Sequence, residues 1–320
     1  MGATSLHLMR FTAAAERPVA AALAGAVAIA FSGILFRLAE VSASTGAFFR
    51  CLYALPLLWL LARLEDRRYG PRSARARGLA LLAGVFFAVD LVLWHNAIEA
   101  VGAGLATVLG NTQVLLVGLL AWALLDERPS GRALASIPVA FAGVVLISGV
   151  LEEGAYGSDP TMGVVFGVLT GIAYAGFLLT LRQGSMDLRR LAGPLFDATA
   201  ASAVVAGLGG VALGELDAVP GWESQLWLVV LALSAQVLGW LLIAISLPRL
   251  PAVVTSVLLM LQPLLAVILA ALLVDERPSP VQLAGAAAIL AAVLLASSTR
   301  QRAPAVSATA SEVAGAKGAS

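Results

Sequence analysis

The chain has 320 residues, 60% of them apolar and 12% charged, with a net charge of +1. An ordinary soluble domain is about 25% charged, so these charges cannot clothe a chain of this size in water, and no nucleic-acid partner is expected. The single cysteine, Cys51, lies in an apolar stretch and excludes an intrachain disulfide framework.

From the N-terminus, Arg10 and Arg17 precede an apolar run in the manner of a secretory signal. The run from Pro18 to Leu38 is too long for one and is followed by further membrane segments, so residues 1–18 read as a cytoplasmic segment before a retained first helix. Hydropathy with polar and turn breaks then gives ten spans: 19–38, 45–62, 79–98, 104–125, 133–150, 161–181, 194–214, 226–247, 252–274 and 281–298. About 20 apolar residues cross a hydrocarbon core of roughly 30 Å as a helix. Helices are required because lipid cannot pair a backbone N–H or C=O. The fold class expected is an all-α membrane protein of ten transmembrane helices.

Loop charges orient it, since Lys and Arg accumulate on the cytoplasmic side. The loop over 63–78 holds Arg63, Arg67, Arg68, Arg72, Arg75 and Arg77, and that over 182–193 holds Arg182, Arg189 and Arg190. The loops over 151–160 and 215–225 hold Glu152, Glu153, Asp159, Glu215, Asp217 and Glu223 with no basic residue. Ten crossings with basic loops inside put both termini in the cytoplasm of a cell whose cytoplasmic membrane the chain spans. The tail over 299–320, rich in Ala and Ser, reads as disordered.

A duplication organises the chain. Asp126-Glu127-Arg128-Pro129-Ser130 recurs as Asp275-Glu276-Arg277-Pro278-Ser279, 149 residues later, and at that offset 17 of 38 positions over 111–148 and 260–297 are identical. The repeats are 19–150 and 151–298. Five spans per repeat is an odd number, so the second enters the membrane the other way up: two inverted five-helix repeats.

These paired segments, each after a polar or proline break (Asn111-Thr112-Gln113 and Gln262-Pro263), resemble the EamA-type branch of the drug/metabolite transporter superfamily over residues 19–298. Phe48-Phe49-Arg50 early in helix 2, the Asp90 to His95 run in helix 3 and the Ala244 to Pro251 connection strengthen the likeness. The resemblance implies a transporter whose substrates range over amino acids, metabolites and toxic compounds.

Ionisable groups inside a bilayer are functional candidates by default. With a 1.5 Å rise per residue, Asp90 falls roughly 16 Å from the inner end of helix 3, and Gln113, Gln236 and Gln262 fall at a similar depth. Midplane sites between repeats are where inverted-repeat carriers bind substrate. Asp90, Trp94, Asn111, Gln113, Gln236, Trp240 and Gln262 are therefore the expected substrate-binding set, with Trp94 and Trp240 stacking on a planar or cationic cargo or serving as packing.

Arg50, Asp90, His95, Glu99 and Asp197 are the expected gating or proton-coupling set. A burial-raised Asp and a His that titrates near neutral pH suit a relay; the plainer reading is that Arg50 and Asp90 neutralise each other. Asp197 aligns with Arg50 across the repeats as a gate, or else is a solvated helix end. His95 and Asp90, five apart, share no helix face well, so no metal is expected. Gly163, Gly167 and Gly171 form a small-residue ladder for close packing within the chain or between two copies. The Asp-Glu-Arg-Pro-Ser loops read as helix terminators.

No nucleotide-binding phosphate loop is present. The resulting expectation is a cofactor-free secondary active transporter, monomer or homodimer, that exports small amino-acid-like or drug-like molecules by alternating access, with the proton as its candidate coupling ion. The alternatives are a membrane scaffold or sensor without flux, and a membrane-embedded enzyme using Asp90 and His95 as acid and base.

Overall fold

The computed structural model describes residues 17–116, 119, 130–185, 187, 189–246, 258 and 260–297, and its regular elements are helical. In chain order they are α1 (Pro18–Ala30), α2 (Ser32–Ala39), α3 (Ala43–Tyr69), α4 (Ala74–Val101), α5 (Ala103–Gly110), α6 (Gly131–Ile147), α7 (Pro160–Gly184), α8 (Ala192–Leu213) and α9 (Trp222–Leu231). A π-helical segment (Ala232–Gly239) then leads into α10 (Trp240–Ser246), followed by α11 (Leu261–Leu273) and α12 (Pro280–Ser297). The expected features at 1–16, 126–129, 247–257 and 299–320 lie outside the described residues.

Local chemistry sets the boundaries. Ser42, Ser73, Ser130 and Asp159 each accept a hydrogen bond from the backbone N–H three residues on, which starts α3, α4, α6 and α7. Gly70, Gly102 and Gly214, all at positive φ, close α3, α4 and α8.

Six helical runs are long and apolar enough to cross a membrane: Pro18–Ala39, Ala43–Tyr69, Ala74–Val101, Pro160–Gly184, Ala192–Leu213 and Trp222–Ser246. Shorter apolar helices cover parts of the other four expected spans, at Ala103–Leu116, Gly131–Ile147, Leu261–Leu273 and Pro280–Ala296. Phe141, Leu208 and Val211 stand more than 60% exposed on these helices. Such side chains belong in hydrocarbon rather than water.

The packing pairs up when the two halves are exchanged. α4 lies along α7, and α1 with α2 lies along α9, the π segment and α10, which is the same contact with the repeats swapped. α3 packs on α8, α5 on α11 and α6 on α12, each pair its own image. α3 and α8 run antiparallel: Phe48 and Ser44 lie against Gly207 and Gly210, while Glu65 at the other end of α3 reaches Gly193. This arrangement is that of a two-fold relation between halves.

Glycines let these helices touch backbone to backbone. A Cβ added to Gly143 would sit 2.7 Å from the Gly285 carbonyl oxygen, and one on Gly285 would sit 2.7 Å from that of Gly143. The Gly163, Gly167 and Gly171 ladder is filled from within, by Val101, Leu109 and the Thr112–Gln113 turn. Its face is an internal one. Gly143→Leu or Gly285→Leu is accordingly expected to destabilise the protein by at least about 1–3 kcal/mol, because the obstruction is backbone rather than a movable side chain. Thermal unfolding in detergent checks this, with Gly209→Leu, where an added Cβ meets nothing within 4 Å, as the tolerated comparison.

Candidate functional site

Midway along the bundle, α3, α4, α8 and the π segment converge on Arg50. Its side chain points inward, leaving the residue 3% exposed, and its Nε donates to Gln236 Oε1 at 3.0 Å. Gln236 Nε2 in turn donates to the Thr199 hydroxyl at 3.1 Å. Gln236 is fully buried, and it sits in the π-helical segment, whose extra residue per turn re-aims side chains and often marks a functional site. Thr199 anchors the amide and the amide anchors the guanidinium.

Asp90 is 6% exposed and lies within electrostatic reach of Arg50, yet it makes no ion pair and accepts no hydrogen bond among the described residues. Arg50 and Asp90 interact electrostatically but form no contact ion pair among the described residues, while the Arg50 Nε is bonded to Gln236. Trp94 lies one turn along α4 from Asp90, with the Arg50 Cζ 5.9 Å from its ring centroid. Trp240 meets the edges or faces of Phe87, Tyr174 and Phe177 at 5.9, 6.2 and 5.5 Å between centroids. Its indole Nε1 is buried without a hydrogen-bond partner. Tyr174 also interacts electrostatically with both Asp90 and Arg50. One carboxylate, one cation and an aromatic wall thus share this region.

The other candidates disperse. His95 turns away from Asp90: its ring stacks on Phe36 at 3.8 Å, its Nδ1 lies 3.1 Å from the Ala43 carbonyl oxygen, and its Nε2 has no partner. Since a carbonyl only accepts, Nδ1 carries the proton. Glu99 is exposed at the end of α4. Asn111 donates to the Thr107 carbonyl of its own turn, beside Gly110, which approaches Trp94. Gln113 is buried and Gln262 half-buried, and neither side chain makes a hydrogen bond among the described residues.

Asp197 is not a solvated helix end. It is 2% exposed and bound by Arg72 at 2.6 Å, with Arg77 at 3.6 Å. This pair belongs to the Arg-rich end of the bundle, which is cross-braced. Glu65 accepts from the N–H groups of Leu191, Ala192 and Gly193, capping α8 from the end of α3. Arg190 binds the Tyr69 and Gly70 carbonyls that end α3. In the same loop, hydrogen bonds from Arg189 pull the Asp187 carboxyl down to about 2. A cavity of about 610 Å³ opens here between Arg72, Arg75, Gln183 and Ser185.

The acidic end has its own brace, from the repeated pentapeptide. Glu276, 2% exposed, accepts from Arg37 at 2.6 Å and from the first N–H groups of α5, Ala103 and Gly104, at 2.7 and 3.1 Å. A cavity of about 680 Å³ lies beside it, walled by Phe36, Arg37, Glu99, Gly102 and Tyr156.

Sequence reasoning missed Thr199, Tyr174, Phe87 and Phe177, which carry no motif, and passed over Glu276 although the duplication had flagged its loop.

The sequence model of a family described as the EamA-like transporter family matches residues 17–149 and again 161–298. A solved structure titled only as the crystal structure of a protein is similar over 88% of this chain and 96% of its own, with a TM-score of 0.58 at 14% identity. At that identity the likeness concerns the fold alone.

Gln236→Leu would leave the buried Arg50 Nε unpaired. The expected loss is on the order of 1.5–3 kcal/mol, the range for a hydrogen bond to a charged group, against a smaller loss for Thr199→Val. Denaturation of the two variants in detergent tests the order.

Proposed function

The chain belongs to the EamA-like transporter family, and from that premise we propose that it is a secondary active carrier exporting small amino-acid-like or drug-like molecules. Membership makes it a multi-pass membrane transporter with a small-molecule substrate. The observation that carries the finer reading is the Asp90 carboxylate, without a hydrogen bond or ion pair among the described residues, beside an Arg50 whose Nε is held by Gln236. A buried acid without a partner is costly, and a site keeps one when a ligand or a proton completes it.

The chemistry of the cluster fits an amphoteric cargo with a planar apolar part. Asp90 would take an amine or a proton, the free edge of Arg50 an acidic group, and the aromatic wall around Trp240 the apolar body. Gln113, Gln262 and Asn111, at similar depth, complete the proposed lining. Ten crossings in two inverted repeats, with the Arg-rich end and both termini in the cytoplasm of the cell membrane, provide two faces for alternating access. The two cavities lie at opposite ends of that frame, with the Arg50 cluster between them.

Proton coupling through Asp90 has a direct test. In proteoliposomes, an imposed pH gradient is expected to drive substrate flux, and Asp90→Asn to reduce that driven flux at least about 100-fold, within the contribution of a positioned acid–base group, while substrate exchange without a gradient persists. Gradient-driven flux in Asp90→Asn equal to that of the parent would remove Asp90 from the coupling.

A further inference from the structure

We propose that α2 is the gate at the acidic end of the bundle, latched shut by Arg37 on Glu276. The proposal rests on the transporter reading above. Four observations converge on it.

First, α2 is a distinct end of its run. The helical ladder from Pro18 loosens at Phe31, whose N–H reaches the Val27 carbonyl at 3.4 Å while the Ser32 hydroxyl donates back to the Ile29 carbonyl at 2.5 Å, and the eight-residue α2 ends at Glu40, whose φ of 48° is left-handed. Side-chain back-bonding of this kind bends helices, and a non-glycine residue at positive φ is a strained terminus.

Second, α2 stands between the cavity and the site. Phe36 and Arg37 wall the 680 Å³ cavity, while Gly33, one turn earlier, lies against Trp94, whose ring faces Arg50. Third, Phe36 fills the passage. It is 2% exposed, stacked flat on His95, and so close to Gly46 that a Cβ there would come within 2.5 Å of its ring. The stack has no bond to break: the His95 Nε2 is unpaired, and Phe36 offers only dispersion.

Fourth, beside the apolar packing of Ile34, Leu35 and Ala39, one ion pair ties the piece to the second repeat. Arg37, next to the plug, reaches Glu276 at 2.6 Å and the Tyr156 hydroxyl at 3.3 Å. Glu276 is itself fixed by the N–H groups of Ala103 and Gly104. The Glu276 carboxylate stays where it is when Arg37 leaves, because α5 still caps it. Arg37, with its side chain 35% exposed, can swing into the cavity water at small cost. A bond with one fixed and one hydrated partner is a latch, whereas a fully buried pair would be a rivet.

Accessibility of the layer beneath the gate tests this without reference to cargo. In a Cys51→Ala background, which removes the buried native thiol, Trp94→Cys reports from under α2 and Thr199→Cys from the opposite side of Gln236. Membrane-impermeant methanethiosulfonate is applied to sidedness-controlled vesicles. Arg37→Gln and Glu276→Gln are each expected to speed labelling of position 94 from the acidic face by about tenfold or more, the equilibrium shift for one charged hydrogen bond. Labelling of position 199 from the basic face should not rise. Arg37→Lys should stay near the parent rate, as should Asp275→Asn with Arg277→Gln, an exposed pair in the same loop.

Unchanged labelling at position 94, or an equal rise at 94 and 199, overturns the gate, the second result being general loosening. If Arg37→Gln does not accumulate, Tyr156→Phe, which removes only the 3.3 Å bond, should give a smaller rise at 94 alone, and no rise overturns the proposal. Flux with unchanged labelling would leave the carrier and sink the gate. The expected labelling with no flux of any cargo would do the reverse.

Discussion

Hydrocarbon offers no hydrogen bonds, so a polar group carried into the bundle is costly unless it finds a partner there. Arg50 meets that demand through Gln236, and Gln236 through Thr199. The same constraint governs the helix ends, where the first N–H groups have no partner within their own helix. Here carboxylates from distant elements supply it: Glu65 serves α8 at the basic end, and Glu276 serves α5 at the acidic end. A cap borrowed from another helix is also a tie. It favours the N-terminal dipole and fixes two parts of the bundle together, so the two ends of the protein are held by charges and its flanks by glycine contacts.

The spans and their charge asymmetry were legible because length, apolarity and loop composition are one-dimensional. Depth is one-dimensional too: the 1.5 Å rise set Asp90 and Gln236 at a similar level, and both lie within reach of Arg50. Azimuth is not. His95 follows Trp94 by one residue, about 100° around the helix, and that rotation sends it against Phe36 and Ala43 rather than toward Asp90. Repeat alignment set Asp197 and Arg50 at equivalent positions near opposite faces, but it did not show that Asp197 is bound by Arg72, from the loop between α3 and α4, whose path no periodicity reveals. Asn111 spends its amide on its own turn. Glu276 read as part of a helix-ending loop because of Pro278, and it does lie in one; a sequence shows that a pentapeptide recurs, and it does not show that one side chain of it turns inward to 2% exposure.

The repeat explains a further feature of the site. Asp90 and Trp94 on α4 recur as Gln236 and Trp240, each 146 residues later, in the elements that exchange of the halves maps onto α4. Arg50 has no counterpart cation, since Asp197 stands at its aligned position. One guanidinium therefore faces two equivalent positions of different chemistry, an amide and a carboxylic acid. The amide oxygen accepts a hydrogen bond at any pH, whereas the carboxyl group attracts a cation strongly only when ionised. Binding Arg50 to Gln236 rests on an acceptor that does not titrate, and in the proposed carrier Asp90 is the group that a proton or an amine would alter. The frame is symmetric and its contents are not: the guanidinium is bonded to the amide of one half rather than to the acid of the other, and Thr199 fixes that amide.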